Sequence, residues 1–302
     1  MIAPAVFWPT LLGLSFLAAG IITYHRDLHA AAPLEAFGLA ALGPTLVAAS
    51  LAAFAGEHFT AARSLAQLVP KWLPARLFIA YFVGVAHLAA ALSFVARRYI
   101  RWSAIFLAIM FGLFVLLMDL PGALERPAAR ISWILAARET TFAMGALALF
   151  GTAIRERRPQ VLKTLAAITR IWAAGVLIFY GVEHVLHPEY SPGVPDSKLT
   201  SAWVPLPLAI AYVTGIVFIA FGIAMLARKF AGSGAALGGL LMVLLTLALY
   251  VPEFFLARSV SQQVTAINFV FDTLLFAGTM FVIANAIRDS ESRPISMSHA
   301  SL

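Results

Sequence analysis

Apolar runs of about twenty residues, separated by charged or Pro- and Gly-rich breaks, dominate the pattern of this chain. Nine such runs are present, at 5–23, 36–57, 74–97, 102–121, 131–155, 164–186, 205–228, 234–252 and 262–287. The hydrocarbon core of a bilayer is about 30 Å thick and needs about 20 apolar residues per crossing, so each run predicts one transmembrane helix. We therefore expect an all-α polytopic membrane helix bundle with about nine transmembrane helices.

The composition excludes several classes of protein. Hydrophobic residues make up 62% of the 302 positions and charged residues only 12%, whereas a soluble domain carries about 25% charged residues. The net charge of +7 therefore indicates no nucleic-acid partner, and we expect membrane lipids instead. The chain has no cysteine, which excludes disulfides, Fe–S clusters and covalently attached c-type haem.

The basic residues predict the orientation of the helices. Thirteen of the 21 Lys and Arg residues fall in the segments 24–35, 97–102, 155–170, 228–230 and 288–302. Alternate loops of a nine-helix bundle lie on one side of the membrane, and an excess of Lys and Arg marks the cytoplasmic side. We expect the C-terminus in the cytoplasm and the N-terminus outside.

The chain contains an internal repeat. Residues 73–121 align with 204–252 without a gap, at an offset of 131, and 13 of the 49 positions are identical. The identities include Pro74/Pro205, Tyr81/Tyr212, Gly84/Gly215, Arg97/Arg228 and Pro121/Pro252. A repeat with an even number of spans keeps its orientation, so we predict two parallel four-helix repeats. The predicted units are an extra N-terminal helix in 1–30, the repeats at 31–155 and 156–287, and a disordered cytoplasmic tail at 288–302.

Short motifs in the first repeat follow one another in a particular order. A span ends in Gly-Glu-His-Phe at 56–59, a Pro-x-Trp-Leu-Pro loop follows at 70–74, the next span carries Tyr-Phe-Val-Gly at 81–84, and another span ends in Asp-Leu-Pro at 119–121. This order resembles the DoxX-like family of four-helix bacterial membrane proteins. The resemblance implies a tandem DoxX-like protein in the bacterial cytoplasmic (inner) membrane. It also implies a link to membrane oxidoreductases, among them thiosulfate:quinone oxidoreductase.

One position departs from the family pattern. The family often has Glu three residues after the Gly of the second helix, where this chain has His87 in one copy and Phe218 in the other. Any chemistry that depends on that Glu elsewhere is therefore not available here in the same form.

Ionisable residues inside apolar spans are costly, which makes them candidates for a functional site. The acids and imidazoles that we select as catalytic candidates are Glu57, His58, Glu139, Glu183, His184 and Asp272. In the predicted topology all six fall in the outer half of the membrane, where carboxylates and imidazoles could relay protons. Two alternatives stay open: helix ends that bond to loop backbone, and a divalent metal at His184 and His187.

Three further residues are candidates for substrate binding: Asp119, Arg138 and His87. Arg138 could hold an anion or form a buried ion pair with Asp119. Adjacent helical residues point about 100° apart, so we do not expect Arg138 to pair with Glu139. His87 lies near the middle of its span, and we expect it to bond to a neighbouring helix. Haem is not expected, because no other span offers a second histidine at that depth.

These observations favour a membrane subunit of a quinone-linked oxidoreductase, with its polar site in the outer half of the bilayer. A bound quinone is the cofactor that this hypothesis allows, and the electrons would come from a redox partner subunit or from a diffusible quinone. No nucleotide-binding motif is present, so we expect no flavin. The alternatives are a non-catalytic membrane anchor or assembly subunit, and a small-solute transporter.

Overall fold

The computed structural model describes residues 2–28 and 36–291, and these ranges are built from helices without a strand. In this part of the chain nine helical segments are long and apolar enough to cross a membrane. The prediction of an all-α bundle with nine spans is therefore confirmed. Large apolar side chains such as Phe78, Phe106 and Val213 point outward from the bundle, as expected for a multi-pass membrane protein surrounded by lipid.

Thirteen α-helices make up the described chain. They are α1 (Pro4–Leu28), α2 (Ala36–Ala40), α3 (Gly43–Thr60), α4 (Ala62–Leu65), α5 (Arg76–Ala96), α6 (Ile100–Phe114), α7 (Leu120–Glu125), α8 (Arg130–Ala153), α9 (Pro159–Leu186), α10 (Pro207–Leu226), α11 (Ala231–Leu245), α12 (Val251–Leu256) and α13 (Val260–Glu291). The long helices α3, α9 and α10 have a proline in their first turn, where its missing N–H costs little.

Some predicted boundaries differ from the structure. The tail was predicted to be disordered from residue 288, but α13 continues to Glu291, and residues 292–302 lie outside the described part of the chain. Similarly, α1 continues beyond the predicted span 5–23 to Leu28, and residues 29–35 are not described. Both helices extend into sequence with charged residues, because a helix does not need to end where the apolar run ends.

Two spans are interrupted by a π-helical turn, which the sequence pattern did not predict. The turn Val115–Asp119 joins α6 to α7, and the turn Thr246–Tyr250 joins α11 to α12. The two turns lie 131 residues apart, the same spacing as the sequence alignment. Single π-helical turns inside α-helices are frequently found at functional sites.

Helix α13 is the most buried of the nine spans and packs against α3, α8, α9 and α11. The remaining long helices pair around it: α3 with α5, α6 with α8, and α9 with α10. The end of the bundle that carries Val260 is called the outer end here, after the predicted orientation. Because consecutive spans alternate in direction, α8 also begins at the outer end, and α3 and α9 end there.

Small residues allow the closest helix crossings. A Cβ atom on Gly278 of α13 would lie 2.9 Å from the carbonyl oxygen of Gly43, so α3 and α13 meet backbone to backbone. A Cβ atom on Gly215 of α10 would lie 2.7 Å from the carbonyl oxygen of Gly181 on α9. Van der Waals contact of this kind is a main attraction between helices in lipid. The hydrophobic effect does not drive transmembrane helices together, because the lipid tails are as apolar as their side chains.

Candidate functional site

An ion pair joins α8 and α13 near the centre of the bundle. Nη1 of Arg138 donates to Oδ2 of Asp272 at 3.2 Å, and Nη2 donates to Oε1 of Glu139 at 3.1 Å. The expectation that Arg138 would not pair with Glu139 was therefore wrong. The reason is that the long arginine side chain can turn its planar fork back toward its own helix, so backbone directions 100° apart do not prevent the contact.

Two more carboxyl groups surround this ion pair. The carboxylate of Glu57 on α3 accepts a hydrogen bond from Nδ2 of Asn268 at 3.2 Å, and it interacts electrostatically with Asp272. Asp119, the last residue of the first π-helical turn, interacts electrostatically with Arg138. We call Glu57, Asp119, Arg138, Glu139 and Asp272 the acidic cluster. It draws on both predicted repeats, because Asp272 comes from the second and the other four come from the first.

Several polar atoms of the acidic cluster and its surroundings are buried without a hydrogen-bond partner in the described structure. They are Oδ2 of Asp119, Nε of Arg138 and the hydroxyl oxygen of Tyr180. Tyr180 is fully buried on α9 and interacts electrostatically with Arg138, Glu139 and Asp272. An unsatisfied buried polar atom costs about 1–3 kcal/mol, so this region retains unused capacity for hydrogen bonding.

His58 and His87 lie together at the crossing of α3 and α5. Their ring centroids are 5.5 Å apart, and Nδ1 of His58 donates to the carbonyl oxygen of Ala80 at 2.8 Å. Neither ring nitrogen of His87 has a hydrogen-bond partner among the described residues, which differs from the expected bond to a neighbouring helix. Phe54 and Phe111 pack against the His87 ring. Sequence reasoning had placed His58 at the end of its span, far in depth from His87, and so missed their contact.

Glu183 and His184 have a different environment from Glu57 and His58. Arg130 donates to Oε2 of Glu183 at 2.7 Å and to the carbonyl oxygen of Asp196 at 2.7 Å. The backbone N–H of Gly193 donates to Nε2 of His184 at 3.1 Å. These contacts hold the loop that follows α9 against α8 and α9. His184 therefore matches the open alternative of a helix end bonded to loop backbone, whereas Glu183 bonds to the side chain of Arg130. A proton-transfer role for the pair stays a prediction.

The metal candidates do not form a cluster. His187 lies just after the end of α9, and its Nδ1 is 3.6 Å from Oε1 of Glu189. Nε2 of His184 is occupied by Gly193. Among the described residues no group of three or more His, Asp or Glu side chains could hold a metal ion.

A cavity of about 470 Å³ opens at the outer end between α12, α13 and the loop before α10. Glu253 lies in its wall, where its Oε1 accepts bonds from Lys198 at 2.6 Å and from Ser201 at 2.7 Å. Ser261 and Thr265 of α13 line the opposite wall. The cavity was not predicted from sequence, because its walls come from segments about 60 residues apart.

Sequence reasoning missed Asn268, Arg130 and Tyr180. Asn268 carried a usable signal, since a polar amide four residues before Asp272 lies on the same face of a helix. Arg130 was passed over because basic residues at a span end are common. Tyr180 was hidden because aromatic residues in an apolar span normally belong to the core.

One segment of the chain matches a known family profile. Residues 47–150 match a family profile described as a domain of unknown function, DUF8561. The matched segment covers about a third of the chain and includes Glu57, His58, Asp119, Arg138 and Glu139, but not Asp272. No curated protein matches the chain, and no solved structure matches it.

Proposed function

We propose that this chain is a membrane subunit that handles protons for a quinone-linked oxidoreductase, with the acidic cluster as its proton-accepting site. The observation that carries the proposal is the composition of the cluster. Among the described residues Arg138 pairs with Glu139 and Asp272, Asp119 interacts electrostatically with Arg138, and Glu57 interacts electrostatically with Asp272, so four carboxyl groups share one guanidinium group. Fully ionised, this set would have a net charge of −3 inside a membrane protein.

Such a charge is not stable in a low-dielectric setting. Isolated buried ions cost so much free energy that they neutralise by taking up protons or by pairing. Arg138 compensates for one negative charge, and the other carboxyl groups need protons or cations. A site that must change its proton content to stay neutral is suited to accept and release protons.

Quinol oxidation is a reaction that needs such a site. A quinol that becomes a quinone loses two electrons and two protons, so the protein must supply two proton acceptors. Carboxylates within hydrogen-bond reach of the hydroxyl groups can serve as general bases. The electrons would pass to a redox partner subunit, which this account requires. Aromatic side chains lie beside the ion pair, where the Phe276 ring packs against the rings of Phe142 and Tyr180, and rings of this kind are common in apolar ligand sites.

The proposal includes the tandem DoxX-like organisation. Two matched contacts support it. Gly84 packs on His58, whose ring lies 5.5 Å from that of His87. At the corresponding positions, Gly215 packs on His184, whose ring lies 5.9 Å from that of Phe218. The two π-helical turns, 131 residues apart, add a third correspondence.

The proposed location is the bacterial inner membrane, with the N-terminus outside and the C-terminus in the cytoplasm. The distribution of basic residues supports this orientation. It places the acidic cluster nearer the outer surface, so that protons taken from a quinol would leave on that side.

A second candidate function is a small-solute transporter. The observation that favours it is the pair of π-helical turns at Val115–Asp119 and Thr246–Tyr250, which interrupt the α-helical pattern of two spans. Interrupted helices line the substrate sites of many transporters. In this alternative the same acidic cluster would couple proton movement to solute movement.

Quinone titration of the purified protein tests the main proposal. Decylubiquinone is added to the chain in mild detergent, and quenching of tryptophan fluorescence reports binding. We expect saturable binding that is lost in Glu139→Gln or Asp272→Asn. It should persist in Asp289→Asn, a matched control because Asp289 pairs with the exposed Arg155 and is not a member of the acidic cluster.

The outcomes separate the two functions. Absence of saturable binding in the wild-type chain contradicts the quinone proposal. Proton uptake into proteoliposomes that is driven by a solute gradient, without quinone binding, would favour the transporter instead. Equal binding in wild type and all three variants would contradict the placement of the site.

A further inference from the structure

One face of α13 carries a polar stripe from the outer end to the acidic cluster. Ser261, Thr265, Asn268 and Asp272 follow one another at spacings of four, three and four residues. At 3.6 residues per turn these positions lie within about 60° of each other around the helix axis. The rest of the helix is largely apolar, so the stripe is a distinct feature of α13.

The exposure of these residues changes along the stripe. Ser261, Thr265 and Asn268 are exposed, whereas Asp272 is buried. Ser261 and Thr265 form part of the wall of the 470 Å³ cavity at the outer end. The next residue inward, Asn268, donates to Glu57, and Asp272 accepts from Arg138. The stripe therefore joins the cavity to the acidic cluster without an apolar residue between them on this face.

The same face is closed on the inner side of Asp272. Phe276 and Ile283 continue the stripe positions inward, and both are fully buried. The Phe276 ring packs against the rings of Phe142 and Tyr180. Thr279 is also buried, and its methyl and hydroxyl groups fill the space beside Gly145. Packing at this density leaves no polar route from the cluster to the inner end along α13.

We infer that the cavity and the polar stripe form a water-accessible path that connects the acidic cluster to the outer surface alone. Its occupants are water, protons and small cations. The amide and hydroxyl groups along the path can exchange hydrogen bonds with water, and the surplus of carboxyl groups at its end attracts cations. The inference deepens the proposed function, and only its role as a proton exit depends on that function.

The corresponding face of α8 lacks this feature. At the offset of 133 that relates Glu139 to Asp272, the position of Asn268 corresponds to Leu135. At the same offset Thr265 corresponds to the buried Ser132, and Ser261 corresponds to Ala128. The first predicted repeat therefore lacks a continuous polar stripe along α8.

Cysteine accessibility tests the path directly, because the natural chain contains no cysteine. Single variants Thr265→Cys and Asn268→Cys are placed in membrane vesicles and treated with a charged, membrane-impermeant methanethiosulfonate. Only a thiolate reacts quickly, so a reactive cysteine must be in contact with water. The reference is Gln262→Cys in the cavity wall. The matched controls are Thr279→Cys and Ile283→Cys further inward, and the outward-facing Val213→Cys on α10.

We expect Thr265→Cys and Asn268→Cys to react within about tenfold of the rate of Gln262→Cys, and the controls to react at least about 100-fold more slowly. Reaction should occur in vesicles of the one orientation in which Gln262→Cys reacts. Glu57→Cys provides a thiol at the same depth from α3, in case Asn268→Cys does not accumulate. If both deep variants react as slowly as Val213→Cys, the path does not exist.

The readout needs neither quinone nor activity, so it can fail independently of the proposed function. Modification of Ile283→Cys from the opposite side would show an opening through the membrane and would overturn the one-sided path. Accessibility together with an absence of quinone binding would leave the path in place and reject the quinone.

Discussion

Arg138 on α8 and Asp272 on α13 form an ion pair at 3.2 Å between residues 134 positions apart in the chain. The pair joins the last helix of the first predicted repeat to the last helix of the second. A second ion pair, between Arg155 and Asp289 at 2.8 Å, has the same separation in sequence and provides a comparison for its stability. The first pair is largely buried and the second is much more exposed.

Loss of the buried pair should destabilise the fold far more than loss of the exposed pair. We expect Asp272→Ala to lower the free energy of unfolding by about 3–5 kcal/mol, because it removes one of the negative charges that neutralise the buried Arg138 guanidinium group. Asp289→Ala should cost about 0–1 kcal/mol. Thermal unfolding in detergent compares them.

A double variant distinguishes the loss of the ion pair from the cost of leaving one of its charges buried without a partner. Arg138→Leu combined with Asp272→Leu removes both charges and should recover part of the stability lost in Asp272→Ala, because Glu139 also loses its partner. If the double variant is less stable than either single variant, the two residues are not a pair.

His87 and Phe218 occupy corresponding positions in the two predicted repeats, and exchanging the residue types should have opposite effects on stability. His87→Phe should raise the stability by about 1 kcal/mol or more, because it removes two buried nitrogens that have no hydrogen-bond partner in the described structure. Phe218→His should lower the stability, since it introduces the same problem into a fully buried site. Melting temperatures of the two variants, measured together, should move in opposite directions.

The crossing of α9 and α10 requires glycine, because the two backbones are too close to leave room for a Cβ atom. Gly215→Ala would bring a Cβ atom to 2.7 Å from the Gly181 carbonyl oxygen, and we expect a loss of about 1–3 kcal/mol. Gly112→Ala is the control, because among the described residues nothing lies within 4 Å of its added Cβ atom. Alanine there should be neutral or stabilising by up to about 1 kcal/mol. Equal losses at both sites would contradict the close crossing.

The contact between Arg130 and Glu183 should control the order of the loop after α9. Arg130→Met removes the bonds to Glu183 and to the Asp196 carbonyl oxygen, and it also removes the cation over the Tyr190 ring. We expect faster amide hydrogen exchange in residues 188–200 and little change in the spans. The exposed Arg126, changed to Met, is the control. Unchanged exchange in Arg130→Met would show that other contacts hold the loop.

The sequence was sufficient for the fold class and for part of the site. Nine apolar runs predicted nine helices because bilayer thickness sets their length. Glu57, Glu139 and Asp272 were identified because a charge within an apolar span is rare and costly. These inferences depend on local composition, which a single sequence contains.

The contacts that the sequence did not predict depend on how helices cross and on side-chain rotamers. The contact between His58 and His87 follows from Gly84, which lets α3 approach α5, and no spacing along one helix reveals it. The bond between Arg138 and Glu139 depends on a side-chain rotamer. Repeat symmetry alone would place Asp272 with Glu183 in the second repeat, but α13 packs on both α3 and α8 and brings Asp272 to the first repeat.

The central claim is that the acidic cluster holds protons, and infrared spectroscopy of its carboxyl groups tests it most directly. Protonated carboxyl groups have a C=O stretching band that carboxylates lack. The account predicts this band in the wild-type protein at neutral pH, unchanged in Asp289→Asn and diminished in Glu139→Gln or Asp272→Asn. A wild-type protein without the band, or a band that none of the cluster variants alters, would contradict the claim.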